Sequence, residues 1–296
     1  MKFRFLKDKF FKHLMFMCIV FSISIVFLML FGLFIRSLPI LQQKSFSDIF
    51  LSGTWHPLRG EFGFAPFIVG TLWVTVVAMV IAIPLCLLTA IYLSEYAHRR
   101  VTVFLKPFID LLAGIPSVVY GIWGVLAVIP LIRDYIAPLF GVRSTGYGIL
   151  AGGIVLGIMV FPIIIQICVE VFQSVPKELR EASLALGATK WQTIKHSVLR
   201  KALPGILAAI VLGFSRAFGE TMAVLMVVGN VPKIPKSIFD CAYPLPALIA
   251  NNYGEMLSVP LYDSALMLAS LILLLLVLIF NILARLILIR VERSTQ

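Results

Sequence analysis

Apolar and polar positions fall in long blocks along this chain and do not alternate. Runs of low charge cover residues 14–35, 66–93, 104–132, 147–169, 204–229 and 261–284. A helix needs about 20 mostly apolar residues to cross the hydrocarbon core of a bilayer, and each run reaches that length. The pattern therefore predicts an all-α integral membrane protein with six transmembrane helices. Three of the runs carry marks of their own. The third holds Asp110 and then AGIPSVVYGIWG, in which Gly114, Pro116, Gly121 and Gly124 crowd together. That composition predicts a helix interruption near residues 114–117, which a membrane tolerates only where protein or a wet cavity covers the freed backbone. The interruption either offers N–H groups and the Ser117 hydroxyl to an anion or forms a proline kink and glycine packing surface. The fourth run pairs Gly148 with Gly152 and Gly153 with Gly157, a spacing that lets helices approach closely. The fifth carries Arg216 and Glu220, four residues apart, so that on one helix they share a face and can pair. Charges at that depth face a partner or a wet cavity. They line a solute route or pin helix packing as a structural ion pair.

The polar intervals predict less regular structure, with one exception. Residues 175–204 form the longest polar stretch, and Leu179, Ala182 and Leu186 within it recur at three- and four-residue spacing, on one face of a short helix. Pro176 suits its first turn, and Gly187 suits the position past its end, where φ > 0 is needed. A second helical run over 190–203 leads straight into the fifth apolar block. Taken alone, the pair is an amphipathic element on a membrane surface. Elsewhere the pattern predicts polar loops over 37–63, with Trp55 as an interfacial anchor, over 133–145, and over 230–260 with a short helix at 245–252.

Composition confirms the class and narrows it. Hydrophobic residues make up 60% of the 296 positions and charged residues only 13%, against about a quarter charged in a soluble domain. The net charge of +11 does not point to nucleic acid, because Lys and Arg sit between the apolar blocks. On one side of the six spans lie 17 of the 25 Lys and Arg, counting both termini, residues 95–106 and residues 173–203. The opposite loops hold seven, and Arg216 lies within a span. This asymmetry predicts cytoplasmic N- and C-termini. Cys18, Cys86, Cys168 and Cys241 have no metal-ligand or disulfide spacing. The four His lie in loops or at span ends, with no constellation for an intramembrane enzyme. No GxxxxGK[ST] run supplies a nucleotide site, and no cofactor is implied.

Glu181-Ala182-Ser183, three residues, then Gly187 resembles the cytoplasmic-loop signature of binding-protein-dependent ABC importer permeases: EAA, three residues, G, nine residues, I-x-L-P. Ser183 stands for the second Ala. The second half departs, with Ser197 for Ile and Arg200 for Pro beside a matching Leu199, while a Leu-Pro pair follows at Leu203-Pro204. Further runs, GTLWVT, AIYLSEYA, LLAGIPSVVYG, REASLALGATKW and RAFGETMAVLMVVGN, resemble the phosphate-specific (Pst) importers and cover most of residues 63–230 in order. The continuation GETMAVLMVVGN favours the PstC-type subunit over its paired subunit. Asp110 stands where that family more often has Glu.

The resemblance implies a type I ABC importer permease bundle (MetI-like) over 64–296, with a coupling helix at 176–187. Residues 1–63 would add a basic segment, an extra N-terminal helix and an outer loop. It implies a bacterial cytoplasmic membrane location and a non-catalytic subunit that forms the phosphate path. Its partners would be a second permease (PstA-type), two cytoplasmic ATPases (PstB-type) and an extracytoplasmic phosphate-binding protein (PstS-type). Arg216, Glu220 and Ser117 would line the path, with Arg216 forking onto phosphate oxygens. Glu181, Ala182 and Gly187 would engage the ATPase. Permeases for sulfate and molybdate share this architecture, and a secondary transporter, which needs no such cytoplasmic helix pair, is the other alternative.

Overall fold

The computed structural model describes the backbone of residues 2–255, 259 and 261–295. Side chains of residues 2–6, 8 and 292–295, including the basic Lys2, Arg4 and Arg293, lie outside the described set. Six helices among the described residues are long and apolar enough to cross a membrane: Lys9–Gln43, Ala65–Tyr96, Ser117–Leu139, Ile149–Ser174, Lys190–Phe218 and Tyr262–Val291.

The first helix, α1 (Lys2–Gln43), runs past the end predicted at residue 35 and absorbs Arg36 and Pro39. Burial explains the extension. Ser37 and Ile40 are fully buried, and Leu30, Leu33 and Leu41 pack with them onto the cluster built from the start of the last helix. The predicted loop over 37–63 is correspondingly shorter and more ordered. A short helix, α2 (Phe46–Phe50), precedes a two-stranded hairpin in which β1 (Trp55–His56) pairs with β2 (Glu61–Phe62). Trp55 is half-buried. Its ring meets those of Phe62, Phe64 and Phe67 edge-on, with centroids 4.9–5.5 Å away.

The centre of the bundle is the seam between α3 (Ala65–Ile91) and α6 (Ile149–Ser174). Glycine makes the approach possible. A Cβ on Gly153 would lie 2.5 Å from Val77 Cγ1, and one on Gly157 would lie 3.1 Å from the Ala78 carbonyl oxygen. The face of α8 (Lys190–Phe218) towards α6 repeats the device, with Gly205 against Val171 and Gly213 against Ile164. α11 (Tyr262–Thr295) then closes on α1 and α8. Several polar side chains in these helices are satisfied locally or across the seam, as hydrocarbon demands. Ser22 bonds the Cys18 carbonyl, Thr89 bonds the Leu85 carbonyl, and Ser215 reaches Asn281 of α11 at 2.7 Å.

The third apolar block departs most from the sequence pattern. Its first part is a separate amphipathic helix, α4 (Arg99–Gly114), without a buried residue, and the spanning helix α5 (Ser117–Leu139) begins only after it. The break between them is extended at Ile115 and Pro116, and the Tyr120 hydroxyl bridges it by donating to the Leu112 carbonyl at 2.8 Å. At its far end α5 continues well into the predicted loop over 133–145. Two π turns interrupt it, Gly124–Val128 and Ile132–Ile136, each just ahead of a proline, Pro130 and Pro138. A proline lacks the N–H and crowds the carbonyl four residues back. Widening the preceding turn relieves that crowding.

Past the end of α8 the chain breaks again and resumes as α9 (Met222–Val227). The segment after α9 then folds back over the start of α6, where Ile149 and Leu150 donate to the Asp240 and Ile238 carbonyls. The expected short helix is α10 (Leu245–Asn252). It is tied to α3 by the Leu245 N–H on Thr71 Oγ1 and to α11 by the Tyr262 hydroxyl on Asn252.

Candidate functional site

Arg216 and Glu220 do not share a helical face. Helix α8 ends at Phe218, Gly219 is its C-cap, and Glu220 lies in the break before α9. Instead of pairing with Arg216, the Glu220 carboxylate accepts the Ala223 N–H at 3.3 Å, satisfying one of the free donors of the first turn of α9. The pairing expected from their spacing fails because the helix that would align them stops between them. Arg216 is exposed and has no hydrogen bond or ion pair among the described residues. It lies with Ala208 and Leu212 on an exposed stripe of α8 at four-residue spacing. That stripe is distinct from the face packed on α6 through Gly213 and from the face tied to α11 through Ser215.

Ser117 opens α5 directly after the Ile115–Pro116 break, and its hydroxyl has no partner among the described residues. The two interrupted segments are neighbours. A Cβ on Gly121 would meet Met226 Sδ at 2.5 Å, and one on Gly124 would meet Val227 Cγ1 at 2.8 Å. The fold thus packs the segment that Ser117 opens against the segment that Glu220 precedes, with Arg216 in the last turn of the helix before that second break.

The second candidate surface is the helix pair before the fifth span. Helix α7 (Lys177–Ala185) has no buried residue, and Glu181, Ala182 and Gly187 are all exposed. Gly187 has φ +84°, and a Cβ there would meet nothing within 4 Å, so glycine is needed for backbone conformation and not for space. Leu186 is 89% exposed, and Leu179 and Leu184 are also uncovered. Helix α8 starts with a capping box at Thr189 and Gln192, and Ser183 meets Thr193 at 3.0 Å, so the two helices form one unit.

What anchors that unit has no signature in the sequence. Arg180 forms an ion pair with Glu95 at 2.7 Å, and Lys190 Nζ sits 4.6 Å from the centroid of the Tyr96 ring. Glu95 and Tyr96 belong to the π turn Tyr92–Tyr96 that ends α3. Both partners lie in the AIYLSEYA and REASLALGATKW runs, but nothing in either run says that they meet across 85 residues. A polar crevice between Ser94, Glu95, Gln173, Lys177, Arg180 and Glu181 opens beside them. Asp110 of α4 accepts from Gln166 of α6 at 2.7 Å. Among the described residues, no three His, Cys, Asp or Glu side chains come together as a metal site.

Comparison with known proteins adds to this geometry. The family model described as binding-protein-dependent transport system inner membrane component matches residues 82–293. The chain is 38% identical to a phosphate transport system permease protein PstC of Xylella fastidiosa, over 86% of this chain and 81% of that protein. It is 34% identical to a probable phosphate transport system permease protein PstC of Methanocaldococcus jannaschii, over 89% of this chain and 88% of that protein. Among solved structures, an inward-facing MetNI methionine ABC transporter chain superposes with a TM-score of 0.57 at 20% identity. The match covers 75% of this chain and 93% of that one. At that identity the likeness speaks for the fold alone.

Proposed function

This chain belongs to the family of binding-protein-dependent transport system inner membrane components, and from that premise we propose that it forms the phosphate path of an ATP-driven importer. It is a permease subunit and hydrolyses nothing itself. Its substrate arrives from an extracytoplasmic phosphate-binding protein (PstS-type). A second, homologous permease (PstA-type) completes the path, and two ATPases (PstB-type) dock on the side that carries α7. The excess of Lys and Arg on that side supports cytoplasmic termini.

The observation that carries the reading is Arg216. It is a guanidinium in a membrane helix, on a stripe that this chain leaves uncovered, with no anion of its own among the described residues. Such a charge is stable only beside a wet path or a partner, and its planar fork suits two phosphate oxygens at once. Ser117 and the backbone exposed at the two breaks contribute neutral donors nearby. Glu220, held by the Ala223 N–H, adds negative charge next to the route and keeps an arriving anion from binding so tightly that it stalls.

The test is uptake of labelled phosphate and labelled sulfate by vesicles containing the assembled complex. Phosphate accumulates and sulfate does not. Arg216→Ala abolishes phosphate uptake and Arg216→Lys impairs it, with the complex assembled in both. Preferential sulfate uptake would overturn the substrate assignment, and normal uptake by Arg216→Ala would remove that residue from the path.

A further inference from the structure

Helix α7 buries none of its side chains, so its hold on the membrane helices is polar, and Arg180 supplies most of it. One guanidinium serves three elements. Nη2 donates to Glu95 Oε1 at 2.7 Å and to the Phe172 carbonyl at 2.7 Å. Nη1 donates to the Val175 carbonyl at 2.6 Å, and Nε reaches Glu95 Oε2 at 3.2 Å. Phe172 belongs to the last turn of α6 and Val175 is its C-cap, where few donors remain for the final carbonyls; the Phe172 carbonyl takes the Val175 N–H at 3.3 Å and the guanidinium besides. Arg180 therefore caps α6, pairs with the end of α3 and stands on α7. The Glu95 side chain is only 8% exposed, so the pair is shielded from the screening that weakens surface ion pairs.

The next residue takes the other helix of the unit. Tyr96 lies under Lys190, the first residue of α8. Both grips come from the π turn Tyr92–Tyr96, where the ladder admits one extra residue, an insertion worth about 100° of rotation about the helix axis. Neighbouring side chains on this one widened turn thus reach two different helices.

We propose that Arg180 is a positioning residue for coupling, and that the π turn is the joint through which displacement of α7 reaches α3 and α6 together. This rests on the reading of α7 as the ATPase docking surface. A guanidinium fork fixes both distance and direction to its acceptors. Glu95 and the α6 carbonyls must therefore follow Arg180 when α7 moves. A point charge at the same position would hold only a distance.

The experiment compares phosphate transported per ATP hydrolysed in reconstituted complexes. The main variant is Arg180→Met/Glu95→Met, which removes both charges and leaves neither buried alone, an exchange that folded proteins commonly accept. The expected result is an assembled complex that retains its ATPase and hydrolyses ATP but moves at least about fivefold less phosphate per ATP, the low end of typical coupling energies. Arg180→Lys falls between that variant and the wild type. A wild-type ratio in the double variant overturns the proposal, because a merely structural pair is replaceable by packing. Loss of the ATPase from the double variant also overturns it, since the pair is then an assembly element. If the wild-type complex itself retains no ATPase, the docking reading fails instead and takes this inference with it.

Discussion

Arg216 and Glu220 stand four residues apart, one inside a helix and the other in the break beyond it. Their roles therefore separate, and so do the consequences of changing them. Glu220→Gln keeps an acceptor for the Ala223 N–H, so the break and α9 survive and the complex assembles. Arg216→Lys leaves every hydrogen bond of the described residues in place and changes only the fork. In a double-mutant cycle on complex stability, the two substitutions add to within about 0.5 kcal/mol, as independent sites do. A larger interaction energy would mean that they pair in some state of the transporter. The sequence made both residues conspicuous, because ionisable groups in an apolar block are costly. It did not place them, because GETM contains no proline, and a single glycine, Gly219, inside a long apolar block reads as readily as a packing position as it does as the C-cap it is.

At the scale of elements, the length of each apolar run was legible and the ends were not. The break at Ile115–Pro116 follows from AGIPS, whose proline disfavours helix in the residue before it. That α4 would then lie apart from the span, with Arg99, Arg100 and Lys106 exposed, is settled by packing against α6 and by no local signal. Helix α1 runs long for a similar reason, since Ile40 is buried in a cluster that draws in the start of α11, far away in sequence. The glycines of the fourth block were legible as a packing surface. Gly153→Val drives a side chain into Val77 and is expected to destabilise the complex by about 1–3 kcal/mol, the usual range for overpacking. Gly32→Val on α1, where nothing lies within 4 Å of the added carbon, serves as the control. Thermal unfolding of the purified complexes checks the pair. Equal midpoints would mean that the α3–α6 seam yields.

At the scale of the whole molecule, the six spans and the charge asymmetry favour one orientation. Reporter fusions at either terminus are expected to report the cytoplasm. A cysteine placed at Ser237 in the outer segment is expected to react with an impermeant thiol reagent from outside. The opposite pattern would put α7 beyond the reach of any cytoplasmic ATPase. The relation between the parts was not legible in the chain. Glu95 and Arg180, or Thr71 and Leu245, are partners only because the fold brings distant segments together.

The exposed face of α1 also bears on how this chain changes over generations. From Lys9 to Met29 its side chains are exposed, and its serines are bonded within the helix. Within this subunit, selection on that half acts on hydrophobicity and length, and one apolar residue serves there as well as another. Residues such as Ala78 and Gly153, in the seam between α3 and α6, have no such latitude. The same chain thus carries a membrane segment free to drift beside a core that is nearly frozen, and mutations accepted in a lineage should accumulate in the first and spare the second.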